Sequence, residues 1–525
     1  MADRNGDWDF HLRTLSSSAR DSNFAGDPAS DPSLLHSVKR LYELCKTESS
    51  EDLIARVYPQ ISKLFQRAVA SLSQSSTSYG LLLLAILQFF LDFGEVVLHD
   101  ADTSLRTFFR SCLSREFADP VVAEATLDFL NTYKKKLLHT FPSLLPQFFP
   151  LLLKLIAWNG EKLEKSFIKI FPGLIAIGSF LPLFPSLMDL PVLVVALEKV
   201  ERSSGSLIGS SIASIQKSTA PEMLLALMDE AYTGSTIGDG GVDSESEDNN
   251  TIDVADPLFL ELLKDENDGL AERHWNSPGM TAALQAAINN PQSERLKQAL
   301  HIAPRLLDVY FAIALREVND SLICALIPLL MSRISKIFPD KTFSYEVQKR
   351  LLEFMLAAFQ RSPNFVALLK KPIMDRLGEA YDSPAKTELA LQLCWAIGEH
   401  GGGGGSHKDA ARELFESLEL LLYENLSSSR LGLRQDLAVG SNGDASRKSS
   451  QARLLCFVIT AIAKLATYHR ELLPRARVSL GKSPGVVNWS EGCTKMNTHV
   501  PFYILGEQEG PPFHDFSFTD ILPSR

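Results

Sequence analysis

The sequence predicts an all-α protein, an α-solenoid of HEAT- or armadillo-like helix pairs with a short non-helical C-terminal tail. Three observations predict it. Apolar residues recur at helical spacing through most of the chain, strand-like alternation is scarce before the tail, and the helical stretches between Ser293 and Arg470 come in pairs. Two helices and two turns per pair give a period of about 40 residues, the spacing of HEAT and armadillo units. With 525 residues, 45% of them hydrophobic and 22% charged, the chain has ample material for a continuous core.

Residues 1–32 are polar and rich in Ser and Asp, and are expected to be disordered. Residues 33–231 are expected to form the N-terminal helical repeats, with QISKLFQRAVASLSQ, VVAEATLDFLNTYKKKLLHTF and EKLEKSFIKIFPGLI as members. Within them FPGLIAIGSFLPLFPSLM, Phe171 to Met188, carries no charge and approaches the length of a bilayer span. Pro172, Pro182 and Pro185 interrupt it and Pro191 follows, so short buried helices joined by proline corners are expected instead.

Residues 232–256 are acidic, Gly-rich and without apolar periodicity, and are expected to form a disordered loop in which Ser244 and Ser246 are candidate phosphate acceptors. They lack the loop glycine and closing Glu of a calcium-binding EF-hand. Residues 257–475 are expected to form the C-terminal repeats, with loops near 400–408 and 427–450, and residues 476–525 an irregular tail. In ARELFESLELLLYENL, Leu414, Leu418, Leu421 and Leu422 make an apolar stripe, while Arg412, Glu413, Glu416 and Glu419 fill the remainder. TELALQLCWAIGE is apolar nearly all round, as an inner helix should be. Trp395 is expected to fill the space between layers, Gly398 to admit a neighbouring helix, and the five glycines after His400 to stop the helix.

A net charge of -11 argues against a nucleic-acid surface, which needs clustered Lys and Arg. The N-terminus, MADRNGDWDF, has neither the basic nor the apolar region of a secretory signal, so a cytoplasmic protein is expected. Six cysteines, Cys45, Cys112, Cys324, Cys394, Cys456 and Cys493, stand far apart with no CxxC pair and are expected to be buried thiols. His400 and His407 flank the glycines, but no third ligand lies near them. ARVSLGKS, Ala476 to Ser483, fits a relaxed P-loop ending at Lys482 and supplies the enzyme alternative. Its flanks, ELLPRAR and PGVVNWSEG, offer neither the preceding strand nor the following helix that phosphate binding requires. No GxSxG follows a strand and no HExxH occurs. No catalytic, cofactor or metal residue is therefore assigned, and a protein without enzymatic activity or cofactor is expected.

Leu393-Cys394-Trp395-Ala396-Ile397-Gly398-Glu399-His400 resembles the tryptophan-glycine-glutamate stretch in the α-solenoid trunks of large adaptin subunits. With the run from DSLICALIPLLMSRISKIFP through YENL, and the tail YILGEQEGPPFHDFSFTDIL, most of the chain resembles the zeta subunits of the fifth heterotetrameric adaptor-protein complex, in a plant-like version. Trp395, Gly398 and Glu399 carry the structural motif; His400 stands where Tyr is usual and the glycine run is extended. The resemblance implies a non-enzymatic trunk subunit of an adaptor complex that sorts cargo at late endosomes, cytoplasmic and peripherally bound to membrane. It implies beta-, mu- and sigma-type subunits as partners, together with spatacsin-like and spastizin-like proteins, and no clathrin. No linker carries a clathrin-box peptide, no appendage domain is expected after the last helices, and the N-terminal region lacks a basic lipid-binding cluster. Membrane recruitment is accordingly expected through partners. The rival to this reading is a HEAT-type scaffold of some other assembly.

Overall fold

Several helices start where the sequence supplies a cap. Ser50 accepts a hydrogen bond from the Leu53 N–H, and Asp100, Asp119, Asn319, Asp340 and Ser383 cap the helices that follow them in the same way. Pro120 and Pro384 then occupy the first helical turn, where a missing N–H costs nothing. The structure, a computed structural model, describes residues 2–20, 32–72, 78–204, 208–209, 211–212, 261–269, 278–402, 407–435 and 442–481. No strand occurs among the described residues.

The helices of the first half are α1 (Ala2–Arg20), α2 (Pro32–Glu48), α3 (Glu51–Ser71), α4 (Gly80–Phe93), α5 (Ala101–Thr107), α6 (Ser114–Glu116), α7 (Pro120–Thr132), α8 (Lys134–Thr140) and α9 (Leu144–Gln147). They continue as α10 (Phe149–Asn159), α11 (Glu161–Ile170), α12 (Phe180–Met188) and α13 (Leu190–Ser204). A π turn, Phe108–Leu113, joins α5 to α6. The second half comprises α14 (Pro278–Asn289), α15 (Glu294–Glu317), α16 (Asp320–Arg333), α17 (Lys341–Arg361), α18 (Phe365–Leu368) and α19 (Lys370–Gly378). It ends with α20 (Pro384–His400), α21 (Lys408–Gln435), α22 (Asn442–Tyr468) and α23 (Leu473–Gly481). The chain divides into two units, Met1–Leu306 and Leu307–Arg525.

In the first unit α4 and α7 run parallel. A Cβ on Gly80, at the start of α4, would meet the Val122 side chain at 2.5 Å, and at the far end Tyr133 donates to Asp92 at 2.9 Å. Tyr42 of α2 donates to the same carboxylate at 2.6 Å, so one Asp ties three helices together. Glu116 takes up the exposed N–H groups of Tyr79 and Gly80 at the start of α4, both at 2.9 Å. In the second unit Arg361 caps α15 from a neighbouring helix, donating to the Leu315 and Val318 carbonyls at 2.8 and 2.9 Å.

These cross-links expose the repeat directly. Tyr133 and Asp92 are 41 residues apart, as are Tyr58 and His99, while Asn159 donates to the Phe117 carbonyl 42 residues away. In the second unit Arg350 pairs with Asp308 across 42 residues, Lys370 with Glu413 across 43, and Tyr381 reaches the Leu421 carbonyl across 40. Within each unit these links join segments one repeat apart, the stacking that a helix-pair array requires to bury its apolar faces.

Three expectations about irregular segments need correction. Residues 2–20 are helical: Leu15 is fully buried, and His11 is buried with a 3.0 Å hydrogen bond to Ser37. The polar composition hid this because packing of a few residues on a neighbour, rather than intrinsic propensity, stabilises the helix. The loop expected at 427–450 is largely absent, since α21 reaches Gln435 and α22 starts at Asn442. Helix α23 also carries the first part of the expected tail, through Gly481. The acidic stretch 232–256 and residues 482–525 lie outside the described residues.

The proline-rich segment resolves as a short turn, Phe171–Leu174, followed by α12 and α13. Among the described residues no single helix is long and apolar enough to cross a membrane; Phe180–Met188 and Leu190–Arg202 bend by 67°. Cys45, Cys112, Cys394 and Cys456 are buried, and burial pushes the Cys45 thiol up to about 12. Cys324 is only half-buried, and Cys493 lies outside the described residues.

Candidate functional site

The motif Trp395, Gly398 and Glu399 lies at the C-terminal end of α20, whose neighbour is α22. Two ion pairs fix how these helices meet. Arg453 donates to Glu388 at 3.1 Å, and about three turns further along both helices Lys464 donates to Glu399. Because both partners advance together, α20 and α22 are parallel and in register. Glu388, Gln392, Trp395 and Glu399 recur at the spacing that places them along one stripe of α20.

Gly398 stands at a close approach of the two helices. A Cβ there would lie 3.2 Å from the Ala461 Cα, tighter than ordinary contact. Beyond it the His469 ring lies 3.2 Å from the Gly401 carbonyl, closing the end of the pair. Desolvation raises the Glu388 carboxyl above its usual range while Arg453 opposes the shift. The stripe therefore holds two partly buried charges, each kept by an opposite charge on the parallel helix.

Trp395 is the residue expected to fill the space between layers. It is half-buried, with its ring edge-on to His400 at 5.8 Å, while Leu393, Cys394, Ala396 and Ile397 provide the buried surface of that turn. The helix faces the core over most, but not all, of its circumference. Burial lowers the pKa of His400, which lines a narrow recess with His407, Pro363, Asn364 and Leu414. Among the described residues no three His, Cys, Asp or Glu side chains are grouped to hold a metal.

The stretch that fits a relaxed P-loop is helical through Gly481. Ser479 is buried and donates to Glu419, with Tyr423 Oη 3.1 Å from its hydroxyl. Backbone N–H groups engaged in a helix are turned away from the cradle geometry that phosphate binding uses. Lys482 and Ser483 lie outside the described residues. A cavity of about 430 Å³ between α13 and α14 is lined by Ala282, Ala283, Ala286 and Ala287 with Glu198, Lys199, Arg202 and Ser293.

Sequence reasoning missed Arg453, Lys464 and Gln392, which share this interface, and Lys154 in the first unit. Lys154 and Lys464 had a visible signal: each is a single Lys inside an otherwise apolar helical run, FPLLLKLIAWN and TAIAKLATY. A buried lysine must be paired, so such a run marks a hidden partner.

Residues 254–499 match a family described as AP-5 complex subunit zeta-1, C-terminal TPR repeats, and residues 29–154 match one described as AP-5 complex subunit, vesicle trafficking. The chain belongs to the AP-5 zeta family. It is 25% identical to the AP-5 complex subunit zeta-1 of Mus musculus over 448 residues, which are 83% of this chain and 50% of the relative. Identity to the Homo sapiens AP-5 complex subunit zeta-1 is also 25%, over 406 residues, 76% of this chain and 44% of the relative. The chain thus spans about half the length of the AP-5 zeta relatives that it matches. A solved structure titled "Crystal structure of Kap121p" aligns over 96% of this chain and 54% of its own with 12% identity and a TM-score of 0.23, too slight a likeness to bear on the fold. The match over residues 254–499 contains Trp395, Gly398 and Glu399 together with Arg453 and Lys464, so the parallel α20–α22 contact is part of the matched region.

Proposed function

We propose that this protein is a non-enzymatic scaffold, the large trunk subunit of an AP-5-type adaptor complex in vesicle-mediated protein sorting. The observation that carries the reading is the match of two separate stretches, 29–154 and 254–499, to AP-5 subunit families. Stacked helix pairs offer long surfaces on which smaller subunits seat, and they do so without a catalytic centre. The partners are the beta-, mu- and sigma-type subunits of the same complex, with spatacsin-like and spastizin-like proteins as further contacts. Clathrin and nucleic acid are not among them. The protein works in the cytoplasm at the surface of late endosomes, recruited by its partners.

Co-expression tests the reading. Mixed with beta-, mu- and sigma-type chains from one organism, the protein should co-elute as a stoichiometric assembly on size exclusion. Elution of every chain at its own volume would contradict it. The enzyme alternative is met by thermal unfolding with ATP and magnesium, since a nucleotide that binds the native state raises the Tm by mass action; no shift is expected.

A further inference from the structure

Lys154 lies in the middle of the apolar helix α10 and is 0% exposed. A lone ammonium would be strongly disfavoured there. Its Nζ donates to the Leu263 carbonyl and, at 2.7 Å, to the Asp265 carboxylate, both on a segment more than a hundred residues away in sequence. That segment, residues 261–269, lies against α9, α10 and α12 in the manner of a bound peptide. Arg110 donates twice to Glu266, at 2.6 and 3.0 Å, and Gln147 donates to the same carboxylate at 2.6 Å. The main chain joins in: the Leu151 N–H, at the start of α10, donates to the Asp265 carbonyl at 3.3 Å, and the Asn267 N–H donates to the Gln147 carbonyl at 2.6 Å. Leu262 and Leu263 are buried.

Two features separate this groove from ordinary packing. Arg110 belongs to the π turn Phe108–Leu113, an irregularity that costs helical hydrogen bonding and recurs at functional sites. The fit is also incomplete, because a cavity of about 40 Å³ remains beside Leu262, Phe149, Leu153, Pro182 and Leu193. A different apolar side chain would fill it better. None of the contacts needs the segment to be continuous with the groove.

We propose that this groove is a recognition site for a leucine-anchored acidic peptide, occupied in cis by residues 261–269 and opened when a partner protein's segment of the same chemistry displaces them. Lys154 reads a carbonyl and a carboxylate at the base of the groove, and Arg110 reads the next carboxylate at its rim. The cis segment competes at the high effective concentration of a tethered ligand, so a free peptide binds weakly until the tether's contacts are loosened.

The test uses the full chain with residues 261–269 replaced by Gly and Ser, and a fluorescein-labelled peptide ELLKDENDG followed by anisotropy. Saturable binding to the replaced chain is expected, at least tenfold tighter than to the wild type. Adding Lys154→Met, which fills the same space without charge, should weaken peptide binding at least tenfold while thermal unfolding remains cooperative. A peptide with the two aspartates and the second glutamate changed to lysine should not bind. Absence of binding to the folded replaced chain, equal binding to the wild type, or binding of the charge-reversed peptide would each overturn the proposal. If the replaced chain does not fold, Glu266→Gln in the intact chain serves instead, because it takes the Arg110 contact from the tethered segment and leaves the groove's own Arg110 and Lys154 in place for the peptide. Faster hydrogen exchange at 261–269 together with gained peptide affinity is then expected, and no gain in affinity overturns it.

Discussion

Gly398 of α20 lies against Ala461 of α22, so close that a Cβ on the glycine would stand 3.2 Å from the alanine Cα and 3.6 Å from its Cβ. The two parallel helices pack through small residues at this point, and the flanking ion pairs are set by that approach. Gly398→Ala gains about 1 kcal/mol of helix propensity and spends it on a tight contact, so its stability should stay within about 1 kcal/mol of wild type. Gly398→Leu must push the helices apart and should cost about 1–3 kcal/mol. Urea unfolding of the three proteins checks the order.

The pair Lys464 and Glu399 is mostly shielded, with side-chain exposures of 11% and 25%. Removing either charge leaves the other partly buried without its partner, and each single change to Ala should destabilise by about 2–3 kcal/mol. In a double-mutant cycle the coupling should exceed about 1 kcal/mol, more than an exposed pair supplies. Additive losses would show that the pair is incidental.

Gln392 lies on the same stripe, fully buried, and among the described residues neither its Oε1 nor its Nε2 has a hydrogen-bond partner. Desolvating an amide without compensation costs about 1–3 kcal/mol. Gln392→Met keeps the length and removes the polar group, so the Tm should rise. A fall in Tm would mean that the amide is satisfied in solution.

How much of this was legible follows from which signals are local. The all-helical class, the period of about 40 residues and the close approach at Gly398 all rest on apolar spacing and on glycine's missing side chain, which a sequence displays directly. The partial exposure of Trp395 was not legible, because it depends on how far neighbouring helices cover α20, and residue type alone favours burial. Helix α1 was hidden for a related reason: Leu15 and His11 acquire their meaning only against α2. The pairing of Lys154 with Asp265 spans 111 residues, and no local pattern announces which acid a buried lysine will find.

Acid should loosen the 261–269 segment. Hydrogen bonding from Arg110 holds the Glu266 carboxyl below its ordinary value of 4.5. A lowered folded pKa means that the contribution is present above 4.5 and is lost as the pH falls through the folded value. The protection factors at 261–269, corrected for the pH dependence of intrinsic exchange, should therefore fall below pH 4.5 in the wild type. Arg110→Gln should exchange faster already at neutral pH and lose most of that acid dependence. Equal acid dependence in both proteins would assign the effect to other groups.

The central claim, membership of the chain in an AP-5-type assembly as its scaffold, is tested most directly by affinity purification of the tagged protein from its own cells with quantitative mass spectrometry. Beta-, mu- and sigma-type chains should be recovered in near-equal amounts with the bait, and clathrin should not be enriched. Recovery of the bait with a different stoichiometric partner set, such as phosphatase or transport-receptor subunits, and without small mu-like and sigma-like chains, would contradict it.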